Sequence, residues 1–150
     1  MIELTNNHDV IKQIIGDSKL LKASMTDEDL ISFEAGTWVL EDRCQYLNYE
    51  DKAIVRVYPV TNLTVEIHPQ LRSEFWGTGE SHKLEEEIEQ WLISNTNYCK
   101  VILQTPQCCR EVLQAAVREG YALEGILTAA ISWRNQIENI VVMSKFLKRN

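Results

Sequence analysis

Apolar residues recur along this chain with two different periods, and the places where the period changes divide it into elements. Val10, Ile11, Ile14 and Ile15 fall at helical spacing, followed by Leu20 and Leu21, so the first third is expected to be helical. A second short helix is expected to start at Thr26, because Thr26 and Asp29 have the spacing of a capping box with Asp in place of the usual Glu. From Thr37 the texture turns β-like, in three runs: Trp38 to Leu47 with an interruption, Ala53 to Tyr58, and Leu63 to His68. In the third run Leu63, Val65 and Ile67 alternate with Thr64, Glu66 and His68, giving a strand with one strongly apolar face. Pro69 to Gly79 reads as a loop.

The next helix is marked by Leu84, Ile88, Trp91 and Leu92, while Glu85, Glu86, Glu87 and Glu89 fall mostly off that stripe and read as a solvated face. Val101-Ile102-Leu103 is a short apolar run, as expected of a strand covered on both faces, and Pro106 ends it. Val112, Leu113, Ala116 and Val117 predict a further helix, with Gly120 where a C-terminal glycine belongs. Two β runs follow, Leu123 to Trp133 and Ile140 to Phe146, joined at Arg134-Asn135-Gln136. Helices, three strands, helix, strand, helix, two strands: antiparallel pairing first and βαβ units later predict a mixed sheet. No linker or repeat divides the 150 residues, so one α/β domain is expected.

Composition narrows the setting. An apolar fraction of 45% with 25% charged residues is ordinary for a globular chain. No run approaches the ~20 apolar residues of a membrane span, and MIELTNNHDV has neither the basic start nor the apolar stretch of a secretory signal. A cytoplasmic protein with no membrane partner is therefore expected. Cys44, Cys99, Cys108 and Cys109 lack CxxC spacing, and His8, His68 and His82 are scattered, so reduced thiols and no metal site are expected. The net charge of −7 argues against nucleic acid as a partner. It suits a basic substrate, although an acidic surface is also plain solubility.

The segment with most chemistry in it runs from Leu63 to Leu92, as strand, glycine-containing loop and helix. A helix start leaves backbone N–H groups unpaired, and the positive end of its dipole adds to them, so the junction is suited to an anion. Gly77 and Gly79 let the backbone approach a phosphate without a Cβ in the way, and Thr78 and Ser81 carry hydroxyl donors. A G-x-G pair alone is common in turns; its place between strand and helix is what gives it weight.

From about Thr37 to Phe146 the element order resembles the GNAT (Gcn5-related N-acetyltransferase) fold. WGTGES looks like the W-G-x-G loop of the branch that acetylates ribosomal-protein N-termini, VREGYALEGIL is similar to that branch's GF-x-x-EG turn, and IENIVVMSKF resembles its final strand. Proteins of this type also occur in bacteriophages, some as head-assembly proteins. The resemblance implies a mostly antiparallel mixed sheet with flanking helices, whose central parallel pair splays apart around acetyl-CoA. It implies that the Ile67 backbone meets the pantetheine arm, that Phe75, Trp76, Gly77, Thr78, Gly79, Glu80 and Ser81 hold the pyrophosphate, and that Gln104 and Thr105 line the far side. Glu66 and His68 then stand beside the thioester as candidate catalytic groups, an imidazole being the kind of side chain suited to proton transfer. A merely solvated strand face is the plainer account of both.

The catalytic positions depart from the family pattern. The commoner loop begins with Gln or Arg, and here that position is Glu74, with Arg72 two residues off. Ala116 falls where a helix-borne Tyr serves as general acid, and Cys109 where an Asn often stands. Two readings stay open: an acetyl-CoA-dependent N-acetyltransferase acting on a primary amine or a protein N-terminus, and a catalytically eroded assembly module. A homodimer or a phage assembly partner is compatible with the second.

Overall fold

The computed structural model describes residues 1–149. Its strands are Ile2–Thr5 (β1), Gln45–Tyr49 (β2), Ala53–Pro59 (β3), Thr64–Leu71 (β4), Lys100–Pro106 (β5), Ala122–Trp133 (β6) and Gln136–Phe146 (β7). Its helices are His8–Ile15 (α1), Ser18–Ser24 (α2), Asp27–Glu34 (α3), Glu80–Asn95 (α4) and Arg110–Arg118 (α5). All seven strands form one sheet in the order β1-β2-β3-β4-β5-β7-β6. Every neighbouring pair is antiparallel except β4 and β5, which run parallel as a βαβ crossover through α4 requires. That pair is joined only at Thr64–Lys100, Val65–Val101 and Glu66–Ile102. Beyond those residues β4 continues to Leu71 and β5 to Pro106 without pairing, so the sheet opens into a V at its centre.

The alternation read in β4 decides which side each residue serves. Val65, Ile67 and Leu71 join Val55 and Val57 of β3 and Val101 of β5 under the buried stripe Leu84, Ile88 and Leu92 of α4. Trp91 packs half-buried on the same cluster. A second, smaller core of Ile11, Ile14, Ile15, Met25, Trp38, Tyr46 and Ile54 seats α1 and the loops around α2 and α3 on the opposite face. The mixed architecture with a splayed central pair and flanking helices is the one expected. Thr26 caps α3, its Oγ1 accepting the Asp29 N–H at 3.1 Å. All four cysteines are free thiols, and no described helix is long and apolar enough to cross a membrane.

Three segments differ from expectation. Ile2–Thr5 is an edge strand on β2, although the apolar spacing predicts helix for the first third of the chain. Trp38 to Leu47 is not a strand over most of its length: residues up to Cys44 form loop and turn, and only Gln45 onward pairs with β3. Trp38 is buried there against Phe33, at 5.9 Å between rings, so its apolar character serves a loop packed on the second core rather than a ladder. Finally, β4 runs through Pro69 to Leu71. Pro69 is tolerated because β4 has already lost β5 as a neighbour and is locally an edge, where a missing N–H breaks no ladder bond.

Candidate functional site

Where the V opens, β4 passes through a single 3-10 turn, Ser73–Phe75, and the Trp76–Gly79 loop into α4. This turn is anchored from the helical face: Asp17, which caps α2, also accepts from Ser73 Oγ at 2.9 Å and Ser73 N at 3.3 Å. The Trp76 indole donates to Leu71 O at 2.8 Å and pins the loop to the end of β4. Gly77 at φ +73° and Gly79 at φ +88° supply the two left-handed conformations that turn the chain into the helix. A Cβ built at either would meet no atom within 4 Å, so the space in front of both glycines is open.

Counting donors narrows the expected cradle. The N–H groups of Phe75, Trp76 and Thr78 bond to Arg72 O, Ser73 O and Phe75 O within the turn. Thr78 Oγ1 donates to Phe75 O at 2.6 Å and accepts from Glu80 N, so its hydroxyl proton is already used. Among the described residues, the N–H groups of Gly77, Gly79, Ser81 and His82 have no protein partner. Together with the Ser81 hydroxyl and the helix dipole they form a cluster of free donors at one point. His82 was not anticipated there. Glu80 does not oppose an anion: its carboxylate turns to Lys83 at 3.0 Å, Tyr49 Oη at 3.1 Å and Lys52 at 3.3 Å. The Lys83 bond comes first among the causes that hold its pKa below the usual value. Glu74 is exposed. Arg72 Nε is a buried nitrogen without a hydrogen-bond partner.

The other group of residues lies on the sheet face away from α4. Ile67 is the first residue of β4 beyond the last pair with β5; its side chain is buried in the main core, so only its backbone faces the V. Glu66 and His68 project to the opposite side, with His68 Nε2 2.5 Å from Glu66 Oε2. Gln104 Nε2 donates to the other carboxylate oxygen of Glu66 across the gap. Burial works to raise the Glu66 pKa, but the His68 and Gln104 bonds outweigh it and leave the group lowered. Thr105 alternates to the α4 side and is buried, apart from Gln104.

Residues of β3 and the preceding loop extend this polar face. The Tyr58 ring stands edge-on to His68 with centroids 5.2 Å apart. Tyr58 Oη bonds to Glu41 and receives Arg56 Nη1 at 3.4 Å, while Arg56 Nε donates to Gln70 at 3.1 Å. Burial above all pushes the Tyr58 hydroxyl far up, so it stays protonated. The tip of the β6–β7 hairpin closes over the same end of the sheet. Arg134 bonds Asp27 at 2.7 Å, Met25 O at 3.0 Å and Lys22 O, tying the β5 side of the V to the helices on the β4 side. These partners could not be found from the sequence, because 107 residues separate Asp27 from Arg134. Among the described residues no cluster of His, Cys, Asp or Glu could hold a metal ion.

No protein-family profile matches the chain, and no curated protein matches it in sequence. Solved structures do match. A chimera of the Vibrio cholerae spermidine N-acetyltransferase and hSSAT superposes at TM-score 0.77 with 12% identity, covering 98% of this chain and 95% of that one. The Vibrio cholerae enzyme in complex with CoA and spermine gives 0.73 and 11%, with the same coverage of 98% and 95%. The microcin C7 self-immunity acetyltransferase MccE, in complex with acetyl-CoA and AMP, gives 0.66 and 16%, covering 97% and 92%. At such identities the likeness concerns the fold, and the chain has a GNAT-like fold.

Proposed function

We propose that this protein is an acetyl-CoA-dependent N-acetyltransferase whose acceptor is a primary amine, on a small molecule or a protein N-terminus. The observation that carries the reading is the set of four N–H groups without a protein partner among the described residues, at Gly77, Gly79, Ser81 and His82, with open space in front of the two glycines. Such a donor set fits a pyrophosphate, and Lys52 and Lys83, both within 3.3 Å of Glu80, balance the one carboxylate in the helix start. Solved structures of the same fold that contain CoA or acetyl-CoA support it.

When bound, acetyl-CoA supplies the acetyl group activated as a thioester. The chain's own groups must position the amine, take its proton and keep both in place. Glu66 holds His68 through Nε2, which leaves Nδ1, without a protein partner among the described residues, to accept a proton from the amine nitrogen. His68 is in reach of solvent, with 35% of its side chain exposed against 14% for Glu66, so the proton can pass on to water. The V gives the thioester access to this face from between β4 and β5. Gly77 and Gly79 N–H groups fix the other end of the cosubstrate.

One observation favours the second reading, an assembly module without catalysis. Ala116 is buried in the core, and the nearby tyrosines are committed: Tyr121 to Glu85 at 2.7 Å and Tyr58 to Glu41. Neither hydroxyl is free to protonate a departing thiolate. Isothermal titration with acetyl-CoA and CoA separates the two. Binding with acetyl transfer to a diamine or to N-terminal peptides supports the enzyme; no binding at millimolar ligand by wild type and by Glu74→Arg would leave the loop an ordinary turn.

A further inference from the structure

We propose that Gln104 is a positioning residue: its side-chain amide spans the gap where β4 and β5 part and holds Glu66 in the orientation that fixes the tautomer of His68. The proposal rests on the reading of His68 as the proton acceptor and goes beyond it, because it moves Gln104 from the cofactor wall to the acid–base group. Gln104 lies two residues past Ile102, the last residue of β5 paired with β4. No backbone bond there keeps the strands in register, yet its Nε2 reaches one oxygen of Glu66 while the other oxygen lies 2.5 Å from His68 Nε2. A carboxylate bonded at only one oxygen can swing about its last torsion; bonded at both it cannot. With Glu66 so held, the neutral imidazole keeps its proton on Nε2, and the Nδ1 lone pair is the one offered to an amine.

The surroundings leave this task to Gln104. On the β3 side His68 meets the edge of the Tyr58 ring, which orients the imidazole plane but accepts no proton from it. Arg56, the cation opposite His68 in the ladder, is engaged with Gln70 and Tyr58. Arg43 lies over Tyr58 and bonds Glu41 at 3.3 Å. Gln104 is thus the uncharged donor that completes the Glu66 shell without neutralising it.

The test is long-range proton–nitrogen NMR on histidine-labelled protein at alkaline pH, where the neutral tautomers are distinguished directly. Wild type is expected to show His68 protonated at Nε2. Gln104→Leu, which keeps bulk and removes the donor, should show a mixture of tautomers with an otherwise unchanged spectrum, and Gln104→Lys, which restores a donor, should return it to Nε2. In the transfer assay Gln104→Leu should lower kcat about tenfold with KM for acetyl-CoA unchanged, a part of the ~10²–10⁴-fold that a general base contributes. His68 protonated at Nδ1 in wild type, or a tautomer indifferent to Gln104→Leu, overturns the proposal. The NMR arm needs no turnover: a wild type that transfers no acetyl but shows the tautomer shift would remove the enzyme reading and leave the positioning intact.

Discussion

Gly79 separates the two demands that the loop satisfies. It is the residue preceding α4, at φ +88°, and a Cβ there would touch nothing in the protein. Gly79→Ala therefore carries no steric clash, only the left-handed penalty of an L-residue, about 1–2 kcal/mol. For a chain of 150 residues that corresponds to a fall in Tm of roughly 2–8 °C, taking about 2–4 °C per kcal/mol. Gly79→Asn should cost less, because a short amide side chain tolerates this region. Both substitutions put a Cβ into the open space in front of Gly79. If a pyrophosphate occupies that space, each displaces it from a charge-assisted bond of about 1.5–3 kcal/mol, and CoA binding should weaken by roughly 10- to 150-fold in both variants. Stability is read by urea titration and affinity by isothermal titration. The signature is dissociation of the two effects: stability ranks glycine, asparagine, alanine, whereas affinity drops alike for both. A Gly79→Ala protein that binds CoA as well as wild type would refute the placement of the anion, even if its stability fell as calculated.

Leu92, fully buried on the sheet-facing side of α4, should lose about 2–5 kcal/mol on change to Ala by urea titration; a loss within error would mean that the helix does not seal the sheet. Lys145 lies 2.8 Å from Glu85, with side chains only 12% and 11% exposed, so Lys145→Met strands a buried carboxylate and should cost about 3 kcal/mol. The double variant Lys145→Met/Glu85→Leu should recover most of that in the same titration. Burial alone would raise the Asp17 pKa, but bonds from Leu20 and Ser73 outweigh it and lower the group in the fold. Its contribution is therefore present above the unfolded value near ~3.9 and lost as pH falls through the lower folded value. Asp17→Ala should cost about 1–2 kcal/mol at neutral pH, and its stability difference from wild type should shrink below pH ~4.

The elements whose burial is set by local period were legible in the sequence. Val65 and Ile67 alternate with Glu66 and His68 because one face of β4 lies under α4, and the α4 stripe repeats at helical spacing because it meets that face. The glycines of FWGTGES marked the left-handed turn into the helix, since few other residues adopt φ near +80° without strain. Trp38 misled because burial in a loop and burial in a ladder demand the same apolar side chain, and periodicity cannot tell them apart when the run is interrupted. Ile2–Thr5 is too short to outweigh the helical signal that follows it. Which loop N–H groups remain free was beyond the sequence, because it depends on Thr78 bonding back to Phe75 and on the Trp76 indole bonding to Leu71 O. The polar face was hidden for the same reason. Glu66 and His68 share a strand and could be named together, but Gln104 reaches Glu66 from 38 residues away, Tyr58 meets His68 from 10, and Glu41 bonds Tyr58 from 17; they meet only because three strands and a loop converge. Local period fixes which face of an element is buried; the partners a polar side chain finds there depend on chain crossings that no local pattern encodes.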